Sequence, residues 1–140
     1  MLNHTTKIRV RYGETDQMGY LYYGNYAQYY EVGRADLMRS LGFTYQQLET
    51  EHQVMMPVVY MENRFVRPAL YDEEITVITT LRKLPDHFIT FHMELKNEAG
   101  KLVNGGKVKL CFVDARSKKR IPAPEVLTAV LSPYFKNETS

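Results

Sequence analysis

A chain of 140 residues, 44% hydrophobic and 24% charged, has the length and balance of one packed domain; it is too apolar for a disordered chain, and no apolar run approaches the ~20 residues that cross a bilayer. A net charge of +2 is too mild to direct it to nucleic acid, and its densest basic run, "RSKKR" at residues 116–120, reads as a solvated turn. A single cysteine, Cys111, rules out an internal disulfide, and the opening "MLNHTTKIRVRYG" has no apolar signal core, so the expectation is one cytoplasmic domain over residues 1–140 with no membrane partner.

The first regular element is a strand over residues 7–12, where Ile8, Val10 and Tyr12 alternate with Lys7, Arg9 and Arg11. A loop over 13–21 follows, with Gly13 and Gly19 able to take backbone angles closed to other residues. Tyr26, Tyr30, Gly33, Leu37 and Leu41 then recur at three- and four-residue steps, the apolar stripe of a helix that carries Gln28, Glu31, Arg34, Asp36 and Arg39 elsewhere; Gly42 is placed to stop it. Gly33 costs that helix about 1 kcal/mol relative to alanine, which predicts another backbone in close approach. A short helix over 44–51 comes next, followed by an extended apolar-rich stretch over 54–67. Residues 74–84 alternate with Ile75, Val77, Thr79 and Leu81 on one face, and 87–96 with Ile89, Phe91, Met93 and Leu95 on one face. "NEAGK" makes a hairpin turn into a long strand over 101–115, whose "NGG" at 104–106 predicts a bulge. Pro122 and Pro124 end the pattern before a short helix over 125–131. One strand, one long helix and four long strands form an α+β chain. Its natural packing is a curved antiparallel sheet of about five strands wrapped around one long central helix, the hotdog arrangement.

Within "TDQMGYLYYGNYAQYYE", Asp16 taken alone reads as a turn residue in a glycine-bearing loop. Asn25 reads first as the N-cap of the long helix, and Glu31 as a surface partner of Arg34. The eleven tyrosines, concentrated between Tyr12 and Tyr45 in a chain without tryptophan, suit a surface that is half buried and half polar, such as an interface or a ligand tunnel. His4, His52, His87 and His92 are scattered, so no metal is expected; nor is there a Ser-His-Asp or Cys-His arrangement, and Cys111 reads as a small core hydrophobe.

The same segment resembles the signature of the 4-hydroxybenzoyl-CoA thioesterase-like branch of the hotdog superfamily, the acyl-CoA thioester hydrolases. That signature is an acid, two variable residues, a glycine, an apolar-aromatic stretch and an Asn-Tyr pair opening the helix, matched by Asp16, Gly19, Tyr22, Tyr23, Asn25 and Tyr26. "RFVRPALYDEEI" and "KLCFVDARSKKRIPAP" resemble later family segments, so the likeness spans nearly the whole chain. The resemblance implies hydrolysis of an acyl- or aryl-CoA thioester to free acid and CoA, without a metal or other cofactor. Asp16 would be nucleophile or general base, and the backbone N–H of Tyr23, seven residues after the acid, the oxyanion donor. Gly19, Tyr22 and Asn25 would line the substrate site. It further implies a homodimer, or a homotetramer built as a dimer of dimers, with sites between protomers. Tyr23 stands where many acyl-CoA members carry His and aryl-thioester members carry Tyr, so the substrate preference of the His-bearing group does not transfer. Two other functions stay open here: hydrolysis of thioesters on an acyl carrier protein, and acyl or aromatic ligand binding without turnover. Pairing a carboxylate with a helix N-terminus argues against the second. A hotdog dehydratase is disfavoured because no His lies between His4 and His52.

Overall fold

The computed structural model describes residues 1–136. In chain order it contains β1 (Leu2–Arg9), α1 (Tyr26–Ser40), α2 (Tyr45–His52), β2 (Val54–Met55), β3 (Val58–Phe65), β4 (Glu74–Leu81), β5 (Phe88–Lys96), β6 (Leu102–Asp114), β7 (Arg120–Ile121) and α3 (Glu125–Leu131). Five long strands form one antiparallel sheet in the order β1-β4-β5-β6-β3, and the short β2 and β7 pair with the far end of β6. α1 crosses the inner face: Tyr26, Tyr29, Tyr30, Leu37 and Met38 are buried against inward Ile75 and Val77 of β4, Ile89, Phe91, Met93 and Leu95 of β5, and Val108 and Leu110 of β6. This is the hotdog arrangement, and the alternation read for β4 and β5 sends the expected residues inward.

Several boundaries differ from expectation for identifiable reasons. β1 begins five residues early because its inward positions His4 and Thr6 are polar and break the apolar alternation. Both are satisfied by α1, with Thr6 Oγ1 donating to Asp36 Oδ2 at 2.7 Å and His4 Nε2 lying 2.9 Å from the same oxygen. Tyr12 is correspondingly not a strand residue but an exposed member of a 3-10 turn, Tyr12–Glu14. The stretch over 54–67 splits at Pro57 into β2 and β3. The bulge in β6 falls at Val103: Leu95 pairs with Asn104 but Lys96 with Leu102, while Asn104–Gly106 remain in register. The glycine at 106 serves close approach instead, since a Cβ there would stand 2.0 Å from the Glu62 carbonyl oxygen of β3.

Gly33 meets side chains rather than a backbone. A Cβ would lie 2.6 Å from Thr79 Oγ1, 2.8 Å from Val77 Cγ1 and 3.0 Å from Met93 Cε, so Gly33 sets how closely α1 lies on β4 and β5. The helix ends as expected, with Gly42 at φ +92° and paired bonds from Gly42 N–H to Arg39 O and Phe43 N–H to Met38 O. Arg34, expected on the solvent side of the wheel, is buried, and it forms no ion pair with exposed Glu31. β3 is the other departure: Val58, Val59, Tyr60, Met61 and Phe65 are all exposed on a strand that, among the described residues, is paired along one edge. Among the described residues no helix is long and apolar enough to cross a membrane.

Candidate active site

The loop from Arg11 to Asn25 is tied to the start of α1 mainly by hydrogen bonds. At its centre sits Glu14, a buried acid that no periodicity in the sequence singles out. Glu14 Oε1 accepts from the Arg11 N–H at 2.9 Å and from the Tyr29 hydroxyl of α1 at 2.9 Å, and Oε2 accepts from Arg11 Nη2 at 3.1 Å. Burial alone would raise its pKa; the bonds from Arg11, with the Tyr29 hydroxyl adding to them, more than offset this and hold the carboxyl below its usual range. The Glu14 carbonyl oxygen accepts from Tyr22 N–H at 2.9 Å and from Asn25 Nδ2 at 2.9 Å. The available signal was an acid three residues after Arg11 in a loop with few other charges.

Asn25 is therefore not the side-chain cap expected of it. A 3-10 turn, Tyr23–Asn25, precedes α1, and the Asn25 amide reaches back to the loop. The N–H groups of Tyr23 and Gly24 head that turn, and neither has an acceptor among the described residues, as the geometry of a helix start requires. The Tyr22 and Tyr23 rings stack at 4.6 Å and lie exposed beside it.

Asp16 occupies a tight five-residue loop closed by the bridge between Thr15 and Leu21. Its Oδ1 accepts from Met18 N–H at 2.8 Å and Tyr20 N–H at 3.2 Å, while Oδ2 takes no hydrogen bond from the described residues. Gly19 closes the turn onto the Asp16 carbonyl at φ +77°, a backbone angle that explains the glycine, and its own carbonyl accepts from Tyr71 N–H. Leu21 N–H bonds Ala69 O, so the acid loop is pinned to the segment leading into β4. Tyr26, the first residue of α1, is buried close enough to Asp16 for that charge to add to the rise in its phenol pKa, which burial chiefly causes. Tyr26 packs edge-to-face on Phe65 at the end of β3, at 5.4 Å. The structure thus brings Asp16, Gly19, Tyr22, Tyr23 and Asn25 into one knot. Among the described residues, no three His, Cys, Asp or Glu side chains gather as a metal site would need.

A carboxylate with one oxygen fixed and one open can attack a carbonyl or deprotonate water, and unpaired N–H groups at a helix start can hold a carbonyl oxygen. Residues 10–131 match the family model of the thioesterase-like superfamily. The chain is 36% identical over 121 residues to YneP of Bacillus subtilis, a candidate acyl-CoA thioesterase, covering 84% of this chain and 86% of that one. It is 27% identical over 122 residues to the acyl-CoA thioester hydrolase YbgC of Escherichia coli O6:H1, covering 87% and 90%. A solved DHNA-CoA thioesterase from Staphylococcus aureus superposes with a TM-score of 0.87 at 29% identity, covering 100% of this chain and 97% of that one. With a family model matching from the end of β1 through α3, and relatives aligned over nearly their whole lengths, the chain belongs to the thioesterase-like superfamily of hotdog proteins.

Proposed function

We propose that this protein is an acyl-CoA thioesterase that cleaves its substrate at Asp16. The observation that carries the reading is the half-held carboxylate: two backbone N–H groups fix Asp16 Oδ1, and Oδ2 is left to act. The thioester carbonyl oxygen would lie against the Tyr23 N–H, with the Gly24 N–H beside it, where charge developing on oxygen meets the positive end of the helix start. Asp16 then works in one of two ways. It attacks the carbonyl carbon, expelling CoA thiolate to leave a mixed anhydride that water hydrolyses, or it takes a proton from a water that attacks directly. Both give free acid and CoA without a metal. Gly19 shapes the acid turn, Tyr22 lines the entrance, and Asn25 fixes the loop to the helix.

The working form is a dimer at least. Among the described residues β3 presents an unpaired edge with exposed apolar side chains, a liability that pairing with another strand would remove. Two chains joined at β3 bring the end of each β3, which packs on Tyr26 beside the acid loop, against the start of the other, so each site lies between protomers. The test is thiol release across a panel of aliphatic and aryl acyl-CoAs. Turnover of some members well above the uncatalysed rate is expected; a protein that binds them and releases no thiol overturns the reading.

A further inference from the structure

We propose that a basic groove on the outer face of the sheet binds the phosphate groups of a nucleotide, either the nucleotide end of the CoA substrate or a free nucleotide. The site stands on the geometry of this face; only the first source rests on the thioesterase reading. The groove has a volume of about 410 Å³ and lies between the β4–β5 turn and β6. Four cations line it, Arg82, Lys83, Lys107 and Lys109, against one acid, Asp86. Thr90 adds a hydroxyl.

Strand periodicity gathers this charge. Ile89, Phe91, Val108 and Leu110 point inward to α1, so Thr90, His92, Lys107 and Lys109, which alternate with them, stand on the opposite face. The register sets Thr90 beside Lys109 and His92 beside Lys107. Among the described residues Lys107 reaches Glu62 at 3.4 Å, while Arg82, Lys83 and Lys109 enter no ion pair. Lys109 Nζ sits instead 4.1 Å from the centre of the Phe88 ring, with the Arg120 guanidinium 5.7 Å from it. An aromatic ring positions a cation without cancelling its charge. Asp86 is engaged locally, its Oδ1 accepting from Phe88 N–H at 3.1 Å. The positive field reaches His92, whose pKa is lowered first by burial and then by Arg82 and Lys107. Cations brought together with so little counter-charge repel one another, and a multiply charged anion removes that repulsion. Phosphate groups fit such a lining, since guanidinium binds them in bidentate fashion and ammonium as a point charge.

Within one chain the groove is separate from the acid loop. Lys109 pairs across to Tyr60 of β3, whereas Phe65, which packs on Tyr26 beside the acid loop, pairs with Asn104 at the other end of that strand. A second hollow of about 400 Å³, lined by Val59, Tyr60, Thr90, Lys107 and Lys109, carries the same basic surface to the β3 edge. In a dimer joined at that edge, the Tyr60 end of one β3 would approach the Phe65 end of the other. The groove of one protomer would then open toward the acid loop of its partner, a course that suits a substrate with its thioester and its phosphates at opposite ends.

The experiment titrates ATP, free CoA and adenosine by calorimetry into wild type, Arg82→Gln/Lys109→Gln and the charge-keeping Arg82→Lys/Lys109→Arg. Arg82 is exposed and Lys109 half-buried on the surface, so the glutamine variant should keep the wild-type melting temperature. Wild type should bind ATP or CoA and not adenosine. The glutamine variant should bind the nucleotide more weakly by roughly tenfold or more, and the charge-keeping variant as wild type does. No nucleotide binding by wild type, equal affinity in wild type and the glutamine variant, or adenosine binding as tight as ATP overturns the proposal. Thiol release separates the two sources, comparing an acyl-CoA with the same acyl group on pantetheine, which lacks the nucleotide. If CoA occupies the groove, the glutamine variant should raise KM for the acyl-CoA by roughly tenfold with kcat unchanged, and leave turnover of the pantetheine thioester as in wild type. If a free nucleotide occupies it, KM for the acyl-CoA stays at the wild-type value while ATP binding is lost. Failure of every acyl-CoA to react would count against the thioesterase reading, leaving the ATP titration to decide the groove.

Discussion

The loop from Arg11 to Asn25 and strand β3 solve opposite problems. The loop buries little apolar surface, yet its turns are closed from within the chain: Glu14 binds Arg11 and Tyr29, its carbonyl binds Tyr22 and Asn25, and Asp16 is anchored by Met18 and Tyr20. β3 is an extended strand carrying Val58, Val59, Tyr60 and Met61, yet those side chains face solvent and one of its edges is unpaired among the described residues. A polar loop complete in itself can hold a reacting group in place; an apolar strand left open is an interface in waiting. In the proposed dimer the difference would separate what one chain supplies to the site, the acid and the helix start, from what a second chain would supply, the wall across the β3 edge.

The largest effect on assembly is expected at β3. Placing lysine at both Val59 and Met61 should yield a folded monomer by light scattering, with thiol release down by roughly a hundredfold or more, as expected when opposed parts of a site lose register. Full activity in that monomer would put the whole site inside one chain. On the loop side, Glu14→Gln should lower kcat by roughly tenfold with KM little changed. The amide cannot accept from Arg11 and Tyr29 as the carboxylate does, and charge-assisted bonds of this kind are worth about 1.5–3 kcal/mol. A drop in melting temperature with kcat unchanged would make Glu14 a structural residue only.

Acid should weaken the fold in a defined order. His92 has a pKa held below its ordinary 6.5, by burial and by Arg82 and Lys107, so the fold favours its neutral form and stability declines as pH falls from that value. Glu14 and Asp36 sit below their ordinary 4.5 and 3.8, so the stability they contribute is fully present above those values and is lost as pH falls through their folded ones. Asp36 owes its shift first to Thr6, then to His4. Thermal midpoints measured from pH 7 to 3 should therefore fall in two stages, and Glu14→Gln should flatten the second. The smallest effect is expected at Tyr23, where the backbone matters more than the exposed ring; Tyr23→Phe should stay within about threefold of wild type by thiol release.

Much of this was legible in the residues. The stripe of α1, its stop at Gly42, and the inward sets of β4 and β5 follow from periodicity, because apolar burial imposes the period of the element. The start of β1 did not follow, since His4 and Thr6 face inward and are polar; their partner Asp36 lies across the fold. Arg34 was placed on the wrong side of the helix for the same reason, as its surroundings come from α2. The acid loop stood out only through its likeness to a known signature, and Glu14 escaped because its partners are a backbone N–H, a neighbouring guanidinium and a tyrosine fifteen residues on. Exposure of β3 could not be read at all: an apolar strand has the same composition whether it is covered by its own chain or by another.

If hydrolysis runs through the open oxygen of Asp16, one substitution should stop it. Asp16→Asn keeps the size of the side chain and the oxygen that accepts from Met18 and Tyr20, but its amide can neither attack a carbonyl nor take a proton. Thiol release from the acyl-CoA that wild type cleaves fastest should fall by roughly a thousandfold or more, with the oligomeric state and melting temperature of wild type retained. A variant equally well folded that still turns over near the wild-type rate would contradict the account.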